Sequence, residues 1–179
     1  MPLVEIQVGD QTIRYDRQAT AQIYATTTTG WAERCGCAGC RNYVVQRDEI
    51  YPPVFRELLD RLGIDPNKEA EVVLDGPLES GLCHYGGWFF FVGEMLKPSD
   101  TWETLPGKQV KMRRHHNAAE VCDSPYFAFF FTRVGPCPKE FRNVEPQLAI
   151  EFVAHFKWVL AESWDSDFRP VASPDRPAR

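Results

Sequence analysis

The most restrictive feature of the sequence is a group of three cysteines within six residues, Cys35-Gly36-Cys37-Ala38-Gly39-Cys40. Small residues occupy the positions between the thiols, so the backbone can wrap around a group that the sulfurs share. Thiolates bound to one Zn²⁺ ion at about 2.3 Å lie about 3.8 Å from one another, which cysteines two and three residues apart can reach on a turn. The segment therefore predicts a metal-binding loop with three ligands.

A tetrahedral zinc site needs a fourth ligand. Cys83 and His84 are favoured, because they begin a predicted strand next to Gly86-Gly87, a pair that indicates a bulge or a close backbone approach. Cys122 and Cys137 are alternatives. The metal is predicted to be a structural Zn²⁺ ion. The predicted set of ligands consists of Cys35, Cys37, Cys40, Cys83 and His84.

Other uses of these thiols stay open. Disulfide frameworks are typical of short, exported chains, and three neighbouring thiols always leave one unpaired. An iron–sulfur cluster is disfavoured because only three ligands are close together. Cys37 and Cys40 also form a C-x2-C pair at the predicted start of a helix, where a thiol pKa is lowered, as in thiol redox proteins. A zinc ion with water at its fourth position would instead indicate a zinc-dependent enzyme.

The charge and hydropathy of the chain argue against several classes of function. Its net charge is −5 over 179 residues, whereas binding of nucleic acid requires positive charge, so no nucleic-acid partner is predicted. The longest apolar runs, Trp88–Val92 and Tyr126–Phe131, are far shorter than the roughly 20 residues that span a bilayer, so no membrane association is predicted. The first residues, MPLVEIQVGD, do not resemble a secretory signal. We expect a cytoplasmic protein.

The hydrophobic pattern predicts an α+β fold built mainly from antiparallel β-sheet. Residues 3–15 alternate between apolar and polar around a turn, which predicts an N-terminal hairpin. Residues 20–30 fit either a strand or a helix. Two short helices are predicted after the cysteine loop. The first starts at or just after Cys40, and the second has Pro53 in its first turn and Gly63 as its C-cap.

The second half of the chain is predicted to be β-sheet. Alternate residues from Leu148 to Leu160 are apolar without interruption, which is the period of a strand. Trp88–Val92 and Phe127–Phe131 are apolar on both sides, as in central strands covered on both faces. Residues 1–164 are expected to form one domain, and residues 165–179 a disordered tail. The predicted strands cover residues 71–74, 82–92, 108–114, 126–133 and 147–160.

Three further polar groups are interpreted as exposed strand surface. Glu151 and His155 share a strand face and could form an acid–base pair, although the solvent face of an antiparallel strand is the simpler interpretation. His115 and His116 point to opposite sides of an extended segment, so they are poor ligands for one ion. The basic residues before them, within Lys108–Arg114, suit an edge strand.

Four blocks of sequence carry a resemblance to known proteins. They are a C-x-C-x2-C-x-N-[FY] block that ends at Asn42-Tyr43, Tyr51-Pro52-Pro53, Leu62-Gly63-Ile64-Asp65, and a Y-G-G-W-F-x-F-V-G block from Tyr85 to Gly93. In order and spacing, the chain resembles a family of small uncharacterised bacterial proteins, a domain of unknown function. The resemblance covers roughly residues 20 to 95 and implies a bacterial, cytoplasmic protein with no assigned activity. Asn42 and Tyr43 are expected to orient the cysteine loop, Asn42 by bonding backbone groups near the thiolates.

These observations lead to one hypothesis and two alternatives. The chain is predicted to be a small cytoplasmic binding or interaction protein in which zinc holds the fold together and an acidic surface recognises a protein partner. The alternatives are a thiol redox protein and a zinc-dependent enzyme that uses Glu151 or His155.

Overall fold

The computed structural model describes residues 3–97 and 125–165, together with the backbone of three short strands between them. A hairpin is followed by a group of helices and then by the remaining strands. The helices are α1 (Arg17–Thr26), α2 (Trp31–Cys35), α3 (Ala38–Val44), α4 (Arg47–Ile50) and α5 (Pro53–Leu62). The strands are β1 (Val4–Val8), β2 (Gln11–Tyr15), β3 (Glu71–Pro77), β4 (Leu82–Lys97), β5 (Trp102–Thr104), β6 (Lys111–Arg113), β7 (Ala119–Asp123), β8 (Tyr126–Thr132) and β9 (Gln147–Lys157).

Seven of the strands form one antiparallel sheet. Their order is β1-β2-β4-β9-β8-β7, and β3 also pairs with β4. Strands β5 and β6 form a separate two-stranded sheet. The predicted α+β class, the antiparallel sheet and the N-terminal hairpin are thereby confirmed. No helix in the described part of the chain is both long enough and apolar enough to cross a membrane.

Strand β4 is the centre of this sheet. Along one edge it pairs with β9 from Leu82 to Val92. Along the other edge it pairs first with β3, between Cys83 and Trp88, and then with β2, from Gly93 to Lys97. One strand of sixteen residues thus joins the hairpin to the strands that follow the helices.

The helices bury an aromatic core against the sheet. The Phe55 ring of α5 lies 4.9 Å from the Phe127 ring and 6.0 Å from the Phe152 ring, centroid to centroid. All residues from Phe127 to Phe131 are buried, as are those from Phe89 to Phe91, which confirms that these strands are covered on both faces. The cysteine segment is attached to the side of this core through α3, whose residue Tyr43 is fully buried.

Local signals account for the helix ends. Asp16 caps α1 by accepting a hydrogen bond of 2.9 Å from the backbone N–H of Ala19. The sequence of residues 20–30 fitted either a strand or a helix. In the structure these residues are helical as far as Thr26. Pro53 is in the first turn of α5 and Gly63 ends it, as predicted.

Several helices and strands begin or end at residues other than the predicted ones. The helix predicted to begin at Cys40 begins at Ala38 and is followed by the separate helix α4. Strand β4 continues five residues beyond Val92 because β2 supplies a partner there, and β9 ends before Trp158. Of the strand predicted at 108–114, β6 covers Lys111–Arg113. His115, His116 and the tail from residue 166 lie outside the described residues.

Candidate metal centre

The cysteine segment joins two short helices through a tight turn. Cys35 is the last residue of α2, and Gly36 follows it in the left-handed conformation with φ of +65°. This conformation favours glycine, which has no Cβ to clash with the backbone. Cys37 is the N-cap residue of α3, and Cys40 lies in the first turn of that helix. The reversal at Gly36 therefore brings the end of one helix and the start of the next together, with their thiols.

The three sulfur atoms form a compact group. The Sγ atoms of Cys35, Cys37 and Cys40 all lie within 4.8 Å of one another. Tetrahedral zinc requires separations of about 3.8 Å, a value that lies within this bound. Cys35 is exposed, Cys37 is partly buried and Cys40 is buried. Among the described residues, no other group of three His, Cys, Asp or Glu side chains meets this distance.

The environment of Cys40 disfavours an isolated thiolate. Burial, hydrogen bonds to Cys37 and then Cys35, and their nearby negative charge all raise the pKa of the Cys40 thiol. A divalent cation reverses this situation, because it attracts all three thiolates and displaces their protons. The donor set therefore suits a thiophilic metal ion.

Two side chains anchor α3 to the sheet beneath the thiols. Tyr85 of β4 donates a hydrogen bond of 3.1 Å to the carbonyl oxygen of Gly39, between Cys37 and Cys40. Asn42 donates to the Tyr85 hydroxyl over 3.0 Å and accepts from the backbone N–H of Val159 over 2.8 Å. Asn42 therefore reaches the cysteine loop through Tyr85, rather than by bonding backbone groups beside the thiols as expected.

Helix α2 is held by a buried ion pair. Arg47 of α4 donates to Glu69 over 3.3 Å and to Glu33 over 3.0 Å. Glu69, which is 1% exposed, also accepts a hydrogen bond of 2.8 Å from the backbone N–H of Ala32 at the start of α2. This pair sets the position of the helix that ends at Cys35. Nothing in the local sequence around Glu69 marked it as buried.

Arg41 braces the other side of the cysteine turn. Its guanidinium donates to the carbonyl oxygen of Gly36 and to the Glu162 carboxylate, in the segment after β9. Trp158 donates its indole N–H to the backbone oxygen of Glu162 and holds that segment in place. These contacts hold the cysteine turn against the segment from Trp158 to Glu162, which follows β9.

The predicted fourth ligands lie outside the group of three thiols. Cys83 is buried on β4, opposite Phe156 of β9 in the register. His84 points to the other face of β4, since side chains alternate along a strand, and its Nδ1 lies 2.9 Å from Nε2 of His155. The structure brings Cys35, Cys37 and Cys40 together but does not bring Cys83 or His84 into their group. A fourth protein ligand stays a prediction.

The remaining two cysteines, Cys137 and Cys122, lie on other segments of the chain. The Cys137 thiol is partly buried and lies 3.6 Å from Oε1 of Gln147. Cys137 and the exposed Cys35 line the same cleft, which has a volume of about 450 Å³. The backbone of Cys122 belongs to β7, and its side chain lies outside the described residues.

Comparisons of the chain with protein-family models, with curated proteins and with solved structures found no match. They do not test the resemblance of the cysteine and Y-G-G-W-F blocks to small bacterial proteins, which stays a prediction.

Proposed function

We propose that Cys35, Cys37 and Cys40 bind one Zn²⁺ ion and that this ion stabilises the fold of a non-catalytic binding protein. The observation that supports the proposal is the mutual separation of the three Sγ atoms, all within 4.8 Å. Thiolates of this number and spacing are characteristic zinc ligands. The cytoplasmic location predicted from the sequence belongs to the same proposal, because free thiols are typical of reducing compartments.

A structural role follows from the position of the thiols between two helices. Helices α2 and α3 have five and seven residues, too few to be stable alone. An ion bound by the last residue of α2, the N-cap residue of α3 and a residue in the first turn of α3 holds these two helices together. Structural zinc sites contribute on the order of 10 kcal/mol to folding, enough to determine whether this region folds at all.

The cleft next to Cys35 supports a role in protein binding. Arg34, Lys139 and Arg142 line it, with Glu71 as the one carboxylate among its described lining residues. Lys139 pairs with Glu140 over 3.8 Å, which leaves Arg34 and Arg142 against Glu71. The cleft thus has a small local excess of positive charge in a chain whose net charge is −5. Trp31, 39% exposed, adds an aromatic surface at the same place. We infer that the partner is a protein segment with acidic and apolar side chains, whereas the sequence had suggested recognition by an acidic surface.

Metal content tests the proposed site directly. Native protein purified without added metal should contain one equivalent of zinc, and Cys37→Ser should lose it. Ser80→Ala, at an exposed residue outside the group of three thiols, is the control and should retain the zinc. Cys137→Ser reports on an alternative fourth ligand, because Cys137 lines the same cleft as Cys35. Cys83→Ser reports on the fourth ligand, because loss of zinc in that variant would add Cys83 to the site. Native protein without a stoichiometric metal would contradict the proposal.

Chelation tests the structural role separately. Removing the ion should lower the melting temperature and the helical circular dichroism signal, because α2 and α3 lose their connection. An unchanged melting temperature in metal-free protein would show that the ion is bound without supporting the fold.

The cleft is tested with an acidic probe peptide that contains one phenylalanine, by fluorescence anisotropy. Arg142→Glu should weaken binding by about tenfold or more, because it replaces attraction by repulsion. Arg61→Glu is the control, since Arg61 is exposed on α5 and is not part of the cleft. Equal losses in both variants would indicate general charge attraction and would contradict a specific surface.

A thiol redox protein is the second candidate, and the exposure of Cys35 favours it. The buried Cys40 thiol, with its raised pKa, argues against a C-x2-C redox pair. Alkylation of the reduced, metal-free protein separates the two functions. Rapid modification of one cysteine below neutral pH would favour redox chemistry, and slow, uniform modification would remove it. A zinc-dependent enzyme lacks comparable support, because His155 and Cys35 line different cavities.

A further inference from the structure

Strand β1 lies at one edge of the seven-stranded sheet. It pairs with β2 from Val4 to Val8, and no other strand in the described part of the chain pairs with it. At its start, Leu3 is 49% exposed and Val4 is 44% exposed. An edge strand of this kind presents unpaired backbone N–H and C=O groups, with which a further strand can bond.

The geometry of the hairpin determines which of these backbone groups point outward. The turn between β1 and β2 has two residues, so Val8 and Gln11, which flank it, close the ladder as a hydrogen-bonded pair. Hydrogen-bonded and non-hydrogen-bonded pairs alternate along an antiparallel ladder. The backbone groups of Ile6 are therefore directed at β2, whereas those of Glu5 and Gln7 point away from the sheet.

Strand β1 lacks the features that usually protect an edge. Its sequence, VEIQV, contains neither lysine nor proline, and Glu5 is its one charged residue. Its register with β2 runs without a bulge. Valine and isoleucine also favour extended structure. Because lysines, prolines and bulges discourage pairing between edges, this edge is suited to accept another strand.

The sequence of β1 is complementary to itself. Two copies related by a two-fold axis perpendicular to the sheet pair in antiparallel fashion, and outward-pointing residues must lie opposite one another to form hydrogen bonds. An axis at Ile6 places Glu5 of each copy opposite Gln7 of the other. Both outward residues then bond to the second copy, and each carboxylate faces an uncharged amide.

The neighbouring positions of the axis are less favourable. An axis at Glu5 would place two carboxylates directly opposite one another, which destabilises a sheet. An axis at Gln7 would pair Glu5 with Gly9, which belongs to the turn and not to β1, so hydrogen bonds would be lost. Ile6 is therefore the position at which backbone pairing and charge agree.

We propose that β1 is the interface of a homodimer, in which a second copy of this chain continues the sheet by antiparallel pairing about Ile6. Val4 of each copy then lies opposite Val8 of the other, so that the exposed valines extend the apolar row that includes Ile6. One short strand from each copy makes a small contact, and the dimer is expected to be weak. None of the described residues that line the cleft beside Cys35 belongs to β1, so this interface is separate from the proposed protein-binding surface.

Association is measured by analytical ultracentrifugation of the full-length protein, from roughly 1 μM to 1 mM. A reducing buffer prevents disulfide-linked dimers, because Cys35 is exposed. The native protein should change from monomer to dimer within this range. A monomer at every concentration would overturn the proposal, and it would do so even if this edge binds a strand of a different protein.

Amide hydrogen exchange locates the contact along the chain. The backbone amides of Glu5 and Gln7 should exchange rapidly in dilute protein and slowly in the dimer, because they gain partners only on association. The amide of Ile6 should be protected in both states, since it bonds to β2. A dimer in which the amides of Glu5 and Gln7 stay unprotected would overturn the proposal.

Charge substitutions at Gln7, which is exposed, test the register. Gln7→Glu should weaken the dimer about fivefold or more, because it places like charges opposite one another at both symmetric positions. Gln7→Lys should strengthen it by a similar factor. Adding Glu5→Lys to Gln7→Glu should restore association, since opposite charges then face each other.

Gln22→Glu and Gln22→Lys are the matched controls, because Gln22 is exposed on α1 and the changes in net charge are the same. Both control variants should associate like the native protein. Effects of equal size at Gln22 and Gln7 would indicate general charge repulsion between chains and would overturn the assignment to β1. Changes of the same sign in Gln7→Glu and Gln7→Lys would place the contact elsewhere and would overturn it too.

Discussion

Asn42 and Tyr85 are hydrogen-bonded across 3.0 Å, and each of the two side chains is 0% exposed. Through this contact, α3 and β4 share a polar connection inside an otherwise aromatic core. Asn42 also donates to the backbone oxygen of Lys157 over 3.2 Å and accepts from Val159. One amide thus joins the cysteine helix to the middle of the sheet and to the segment that follows β9.

Asn42→Ala should lower the free energy of unfolding by about 2 to 4 kcal/mol, because buried partners lose their hydrogen bonds. Urea denaturation measures this change. Gln22→Ala, at an exposed position on α1, should change the free energy by no more than about 0.5 kcal/mol. An Asn42→Ala variant as stable as the Gln22→Ala control would mean that water replaces the amide at no cost.

The adjacent glycines of the Y-G-G-W-F block should respond differently to alanine. A Cβ atom at Gly87 would lie 2.3 Å from Cζ of Phe152, whereas at Gly86 the nearest atom would be 3.9 Å away. Gly87→Ala should cost about 2 to 3 kcal/mol by overpacking the core. Gly86→Ala should stay within about 1 kcal/mol of the native protein. Thermal and urea unfolding of the two variants compare these positions, and equal stabilities would contradict the predicted close approach.

The ion pair of Glu69 and Arg47 predicts a specific dependence of stability on pH. Burial, only partly offset by hydrogen bonds and by Arg47, raises the pKa of the Glu69 carboxyl above its ordinary value. The folded protein therefore holds this proton more tightly than the unfolded chain. The contribution of Glu69 is fully present below the unfolded pKa of about 4.3. It is lost as the pH rises through the folded pKa.

Glu69→Gln removes this titration and isolates its effect. The free energy of unfolding of the native protein, minus that of Glu69→Gln, should fall as the pH rises from about 4 and level off above the folded pKa. Other carboxylates, and any metal, contribute equally to both proteins and cancel in this difference. Urea denaturation at a series of pH values provides the measurement. A difference that rises with pH would show that the pairing with Arg47 outweighs the cost of burial.

Phe55 should be among the most sensitive positions of the core. It is fully buried, and its ring centroid lies 4.9 Å from that of Phe127 and 5.1 Å from that of Phe129. Phe55→Ala should cost about 3 to 5 kcal/mol, because it leaves a cavity among rigid rings, and Phe55→Leu should cost less. Glu57→Ala, on the exposed side of α5, is the control and should be nearly neutral. Denaturant unfolding ranks the three variants, and similar values for Phe55→Ala and Glu57→Ala would contradict this packing.

Elements with strong local signals were predictable from the sequence. The hairpin follows from alternation around Gly9-Asp10, and α5 follows from an apolar stripe between Pro53 and Gly63. The thiol group was predictable for the same reason, because its members are separated by only one and two residues. Helix α2 was not, since five residues are too few to show a helical period.

Features that depend on pairing between distant residues could not be predicted. His84 and His155 are 71 residues apart, and a shift of one residue in the register of β4 and β9 would separate their rings. Burial of Glu69 likewise depends on Arg47, 22 positions earlier in the chain. The positions of Cys83 and His84 relative to the thiols depend on how α3 docks on the sheet, which no local pattern specifies.

Strands β3 and β2 share one edge of β4, and each covers a different part of it. The hairpin shields the backbone amides and carbonyls from Gly93 to Lys97. A shortened chain that began after Tyr15 would expose them as an unprotected template, on which strands of other molecules could assemble.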